Sequence, residues 1–165
     1  MKLPFQQQLN EMDCGPTCIY IISKHHGRNF SIEKLRELTE IGKDGVNLLG
    51  ISDAAETIGF RTQALQASVA ELANDIQLSA ILHWGQNHFV VLYKVKRNQF
   101  YIADPAKALL RYTASEFTAH WLSGNIEENT LQQTGIVRTL EPTPNFYSNQ
   151  YSSVPAGFSL YKLMI

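Results

Sequence analysis

The first residue able to do chemistry is Cys14. It follows a polar stretch, precedes Gly15 and Pro16, and opens an apolar segment. Unpaired N–H groups and aligned peptide dipoles at a helix N-terminus stabilise an anion. A thiol placed there is a nucleophile, which is the physical basis of a cysteine hydrolase. The competing reading is a buried structural cysteine. Cys18 lies one helical turn later and would point to a similar side. A C-x-x-x-C pair with no other Cys and no nearby His pair is a weak signal for metal or redox chemistry. Cys18 fits better as a small hydrophobe packed inward with Ile19 and Ile22.

A catalytic thiol needs a base, and the chain has five His. His25 and His26 end the first helix, where positive charge favours the carbonyl end. His120 belongs to an amphipathic helix beside Trp121 and faces solvent. His83 sits in a strand before Trp84. His88 opens the densest strand pattern, Phe89-Val90-Val91-Leu92-Tyr93, just after Gly85-Gln86-Asn87. A His at the mouth of a rigid strand can meet a helix N-terminus from another part of the chain. Its second nitrogen needs an orienting acceptor. Asp104 ends Tyr101-Ile102-Ala103-Asp104, before Pro105. A hairpin turning at Arg97-Asn98, centred near residue 96, puts His88 and Asp104 directly opposite each other. The alternative is that Asp104-Pro105 only starts a turn. An oxyanion hole needs aimed donors. The Cys14 N–H is one, and a Gln side chain from Gln6-Gln7-Gln8 is a natural second. The residues alone do not choose among those three.

The elements that must position these groups follow from pattern. Residues 14–26 form a helix with Pro16 in its first turn, where a missing N–H costs nothing, and Gly27 as its stop. Ser31 caps a second helix over 32–40, and a third runs over 47–58 and stops at Gly59. A short strand over 61–65 follows. Ser68-Val69-Ala70-Glu71 is a capping box opening a short helix. Strands are expected over 78–84, 87–95 and 98–103. Thr113-Ala114-Ser115-Glu116 is a second capping box, opening a helix over 114–122. A last strand covers 136–140. Glu141-Pro142-Thr143-Pro144 then breaks the chain, and residues 145–165 read as an extended linker. Helices followed by an antiparallel sheet make an α+β fold.

Composition bounds the answer. The chain has 165 residues, the length of one domain with a core of its own. Hydrophobic residues are 44% and charged residues 18%, which argues against disorder. The formal net charge of −1 gives no hint of nucleic-acid binding. No apolar run approaches the length of a membrane helix, and the N-terminus has no signal-peptide core. A cytoplasmic chain is expected, and two cysteines four apart are no secreted disulfide framework. No metal cluster or phosphate-binding loop is visible, so no metal or cofactor is expected.

Gln8-Leu9-Asn10-Glu11-Met12-Asp13-Cys14-Gly15-Pro16-Thr17-Cys18 resembles the Cys motif of the bacteriocin-processing cysteine peptidases, the N-terminal domains of peptidase-containing ABC transporters. His88-Phe89-Val90-Val91-Leu92 and Tyr101-Ile102-Ala103-Asp104-Pro105 resemble that family's His and Asp motifs. Order and spacing agree from about residue 5 to about 147. The resemblance implies a papain-like fold over residues 1–147, with residues 148–165 as a linker toward a transporter membrane domain. It implies Cys14 as nucleophile, His88 as general base and acid, Asp104 as the residue orienting His88, and Gln8 as the oxyanion-hole donor. Asp13 would cap the helix within an Asp-Cys-Gly turn. The implied substrate is a precursor peptide cut after a double-glycine leader. The implied partners are the transmembrane and nucleotide-binding domains of an ABC transporter, with ATP used only there. The implied place is the cytoplasmic face of the bacterial inner membrane, and the isolated domain would be a monomer. An excised domain is the first expectation and a stand-alone peptidase the second. The alternative function is a non-catalytic module that docks the leader for export. A different papain-like amidase or transferase is a third.

Overall fold

Three helices precede a six-stranded antiparallel sheet in the computed structural model, which describes residues 3–9, 12–39, 47–85, 88–122 and 133–149. The helices are α1 (Cys14–His25), α2 (Ile32–Thr39) and α3 (Leu48–Thr57). Then come β1 (Phe60–Ala67), α4 (Val69–Asn74), β2 (Ala80–Trp84), β3 (His88–Lys96), β4 (Gln99–Ala103), β5 (Leu109–Thr113), α5 (Ala114–Trp121), β6 (Gly135–Pro142) and α6 (Pro144–Ser148). The strand order is β1-β6-β2-β3-β4-β5.

Local signals place most boundaries. Pro16 sits in the first turn of α1, and Gly27 ends that helix with φ +91. Ser31 Oγ accepts from the Lys34 N–H at 3.1 Å, so Ser31 does cap α2. Both capping boxes form, Ser68 with Glu71 and Thr113 with Glu116. Arg97 and Asn98 have φ of 52 and 62, the two left-handed residues of a tight hairpin turn between β3 and β4.

Strand alternation divides the core in two. Ile81, Phe89, Val91, Ala103 and Leu140 face α1, α2 and α3, with Ile19, Ile21, Ile22, Leu35, Ile51 and Ile58. Ala80, Leu82, Val90, Leu92, Phe100, Ile102 and Val137 face the other way, onto Phe117 and Trp121 of α5. Each fully buried Ile or Leu contributes roughly 1.5–3 kcal/mol by leaving water. The central strands β2 and β3 are buried on both faces, which explains their unbroken apolar runs.

Three expectations change. First, β5 occupies residues for which no strand was expected. Its side chains are mostly half-exposed, as befits the edge of the sheet, so Leu109-Leu110-Arg111-Tyr112-Thr113 lacks the density of a buried strand. Second, residues 144–148 form α6 and not extended chain. Phe146 is fully buried and packs on Phe60 at 4.5 Å between ring centroids. Gly59 makes this possible: its φ is +106, and a Cβ there would run into the Phe146 backbone. Third, the β3–β4 register is shifted. Val91 pairs with Ala103 and Leu92 with Ile102, and a bulge lies between Leu92 and Lys94. His88 and Asp104 are therefore not directly opposite. Carrying that register on would set Val90 against Asp104, which makes the two residues diagonal neighbours at the strand ends, within reach for long side chains. Residues 150–165 of the expected linker lie outside the described residues.

Candidate active site

The site forms where the start of α1 meets one end of the sheet. Cys14 is the first residue of α1 and is 5% exposed. Asp13, the residue before it, does not cap the helix with its side chain. This corrects the expected cap, and the carboxylate instead lies beside Arg36 of α2, with Oδ1 3.0 Å from Nε. One turn below Cys14, the Cys18 thiol donates to the Phe89 carbonyl at 3.4 Å. That bond ties the helix carrying Cys14 to β3, one residue from His88. Burial, then the nearby charges of Cys14 and Asp104, push the Cys18 thiol up, so it stays a protonated donor and a poor nucleophile.

His88 and Asp104 are joined by a 2.6 Å hydrogen bond between Nε2 and Oδ1. The Ala106 N–H donates to the same oxygen at 3.0 Å. The turn after β4 is closed by the Asp104 N–H donating to the Ala108 carbonyl and the Lys107 N–H to the Asp104 carbonyl, both at 2.9 Å. Asp104 is 3% exposed. Burial alone would raise its carboxyl, but the hydrogen bond and charge of His88, the Ala106 N–H and the charge of Lys107 outweigh it. Asp104 is thus held below the usual carboxylate range. Burial alone would lower His88. Hydrogen bonds to Asp104 and Cys14, with their charges, prevail and push it up to about 9. With Nε2 taken by Asp104, Nδ1 is the ring nitrogen left to face the thiol.

The three glutamines separate in the structure. Gln6 donates from its side chain to the Gln7 carbonyl at an exposed position, and Gln7 is itself exposed. Gln8 is half-buried with a buried side-chain oxygen. Its backbone N–H donates to the Pro105 carbonyl at 2.8 Å. The loop before Cys14 is therefore fixed to the turn that carries Asp104. Gln86 and Asn87 lie outside the described residues.

One contributor had no sequence signal of its own. Trp84 pairs with His88 across β2 and β3, a relation visible only once the register is known. Its ring stacks on His120 at 5.4 Å and lies 5.8 Å from Tyr112. Burial, then the charges of Asp104 and Glu116, raise the Tyr112 hydroxyl. His25 and His26 contact each other far down α1, and His26 rests on Phe60 and Phe146. They take no part in the site.

A thiol at a helix start, an imidazole held by a carboxylate, and a polar loop packed beside them can carry out acyl transfer. Among the described residues, no group of three or more His, Cys, Asp or Glu is gathered to hold a metal ion.

Comparisons with known proteins agree with this chemistry. The model of the peptidase C39 family matches residues 2–127. The lactococcin-G-processing and transport ATP-binding protein LagD of Lactococcus lactis subsp. lactis is 41% identical over 125 residues, which is 73% of this chain and 18% of that protein. The colicin V secretion/processing ATP-binding protein CvaB of Escherichia coli is 35% identical over 123 residues, 74% of this chain and 17% of that one. The chain thus spans under a fifth of the length of these relatives. Among solved structures, the peptidase domain of Streptococcus ComA, a bi-functional ABC transporter of a quorum-sensing pathway, superposes with a TM-score of 0.73 at 30% identity. That match covers 86% of this chain and 100% of the other. A double glycine motif protease from an AMS/PCAT transporter, in complex with the leader peptide, gives 0.75 at 27% identity, covering 86% and 93%. The helices-before-sheet arrangement is accordingly the papain-like one.

Proposed function

The chain belongs to the peptidase C39 family, and we propose that it is a cysteine endopeptidase cutting precursor peptides after a double-glycine leader, in step with export by an ABC transporter. The observation that carries this reading is the 2.6 Å bond between His88 Nε2 and Asp104 Oδ1, with Cys14 among the groups that raise His88. Relatives named for processing and transport, and a solved relative bound to a leader peptide, support the substrate class.

In the proposed reaction His88 takes the Cys14 proton, and the sulfur attacks the carbonyl carbon of the last leader Gly. Asp104 stabilises the imidazolium so formed, the form that a value of about 9 favours. The Cys14 N–H and the Gln8 side chain hold the oxyanion. The C–N bond breaks as His88 gives its proton to the leaving amine. Water, deprotonated by His88, then releases the acyl group and restores the thiol. Two Gly before the cut fit a narrow cleft, where any Cβ would clash. No cofactor takes part, and ATP is used only by a transporter portion. Residues 1–147 would form the peptidase unit and 148–165 the connection to a membrane domain. The place would be the cytoplasmic face of the inner membrane, with the isolated domain a monomer. No helix among the described residues is long and apolar enough to cross a membrane.

The test is a synthetic precursor with a double-glycine leader, incubated with the reduced chain and followed by mass spectrometry. A single cut after the second Gly is expected, and Cys14→Ala should slow it by a factor on the order of a thousand or more. Leader binding without any cut would instead make the chain a docking module. Cleavage only of small amides or esters would make it a different papain-like enzyme.

A further inference from the structure

The mechanism leaves one buried charge unused, and it stands next to the nucleophile. The Asp13 side chain is fully buried. Its backbone carbonyl accepts from the Thr17 N–H at 3.0 Å, the first bond of α1, while its carboxylate caps nothing. The carboxylate meets Arg36, whose side chain is 42% exposed, at 3.0 Å. The contact is an ion pair, and among the described residues neither carboxylate oxygen has a hydrogen-bond partner.

A buried carboxylate one residue from a nucleophile needs a partner, because water screens its charge poorly there. The elements packed on α1 supply few other charges. From β3 comes His88, held by Asp104. From α2, Lys34 lies 3.6 Å from Glu37, and Glu33 is exposed. From α3, Asp53 is exposed, and Glu56 is exposed and bonded to Thr62. Within α1 itself the nearby ionisable group is the Cys18 thiol, which is kept protonated. Arg36 is the cation against Asp13 among the described residues.

We propose that Arg36 is a positioning residue for the nucleophile: its ion pair with Asp13 cancels the buried charge beside Cys14 and clamps the start of α1 to α2. The proposal builds on Cys14 as the peptidase nucleophile, but its test needs no peptide substrate. The rate of Cys14 alkylation by iodoacetamide is followed against pH, with peptide mapping to assign the modified thiol and a thermal melt for each variant.

In Arg36→Gln the Asp13 charge stands alone, and the alkylation profile moves to higher pH by about one unit, with kcat/KM at neutral pH down roughly tenfold. Asp13→Asn leaves the cation alone and moves the profile the other way. The double variant Asp13→Asn/Arg36→Gln has no charge on either side and returns the profile toward that of the native chain. Arg36→Lys keeps the charge and keeps the profile. The proposal is overturned if folded Arg36→Gln has the native profile. It is overturned equally if Asp13→Asn moves with Arg36→Gln, or if Arg36→Lys shifts as far as Arg36→Gln, since charge is then not the cause. A chain that cuts no leader peptide yet shows the opposed shifts would refute the proposed substrate and leave this inference standing.

Discussion

The two faces of the sheet bury different things. On the side of α1, α2 and α3, the aliphatic core is interrupted by polar groups: Asp13, Thr17, Ser23, Thr39 and Ser52 are all buried. On the side of α5 the core is built from rings, with Phe117 stacked on Phe100 at 4.3 Å and Trp121 against Phe117 at 5.4 Å. Buried polar groups cost stability unless they are satisfied, whereas stacked aromatic rings add to it. The first face accepts that cost at the helix whose start must meet His88. The second face carries neither cysteine and is filled by rings. The candidate site therefore lies where the costly face reaches one end of the sheet.

The largest effect that would test this division is on the aromatic face. Trp121 is 1% exposed, and its ring lies so close to Gly135 that a Cβ there would overlap it. Trp121→Ala should destabilise the fold by about 3–5 kcal/mol, as large-to-small core changes do. At temperatures where the variant is folded, the pH profile of Cys14 alkylation should match that of the native chain. Denaturant titration gives the first quantity and alkylation the second. A profile that moved with the loss of stability would show that the two faces are coupled.

A smaller effect separates the site's electrostatics from packing altogether. His88 is raised from 6.5 in its free form to about 9 in the fold. A group raised on folding stabilises the native state fully below its unfolded value, and this contribution is lost as pH rises through the folded one. The melting-temperature difference between the native chain and His88→Gln should thus be largest below pH 6.5, shrink above it, and be gone beyond about 9. Asp104, held low, acts in the opposite sense, contributing above the usual carboxylate range and losing its effect as pH falls through its lowered value. A difference constant across the range would mean that His88 matters only by filling space.

What was legible in the sequence follows the same division. Caps, helix stops and the tight turn depend on neighbours within four residues, and Ser31, Ser68, Thr113, Gly27 and Asn98 behave as their types demand, while Arg97 takes a positive φ that its type does not favour. The meeting of His88 with Asp104 was legible from strand order, although the expected direct pairing was two residues off. The bulge between Leu92 and Lys94 carries no Gly to announce it. Edge strand β5 and helix α6 were missed because a half-exposed strand has a diluted pattern, and because α6 is held by distant residues. Arg28 donates to the Phe146 carbonyl at 2.7 Å, and Asn149 to the Ile58 carbonyl at 2.5 Å. Arg36 was invisible for the same reason: only the fold brings it to Asp13. The choice of Gln8 rests on family resemblance; the backbone bond to Pro105 fixes the loop that carries it and does not select its side chain.

The smallest effect compares the two capping boxes, which are the same chemistry at helices of different weight. At α5, Thr113 Oγ1 accepts from the Glu116 N–H at 3.3 Å, and Glu116 Oε1 accepts from the Thr113 N–H at 3.1 Å. At α4, Ser68 Oγ accepts from the Glu71 N–H at 3.2 Å, and Glu71 Oε1 accepts from the Ser68 N–H at 3.1 Å. Removing such a cap costs about 1 kcal/mol when the helix it starts is needed by the fold. α5 carries Phe117 and Trp121 into the aromatic core, so fraying its first turn loosens both rings. α4 has six residues and buries Leu72 alone among them. Thr113→Ala should therefore lower the urea midpoint by the full cap value with the slope unchanged, and Ser68→Ala by less, because a frayed α4 gives up little buried surface. Equal losses would mean that the caps act on their helices alone. A larger loss at Ser68 would mean that α4 anchors the sheet through β1 more strongly than its single buried side chain implies.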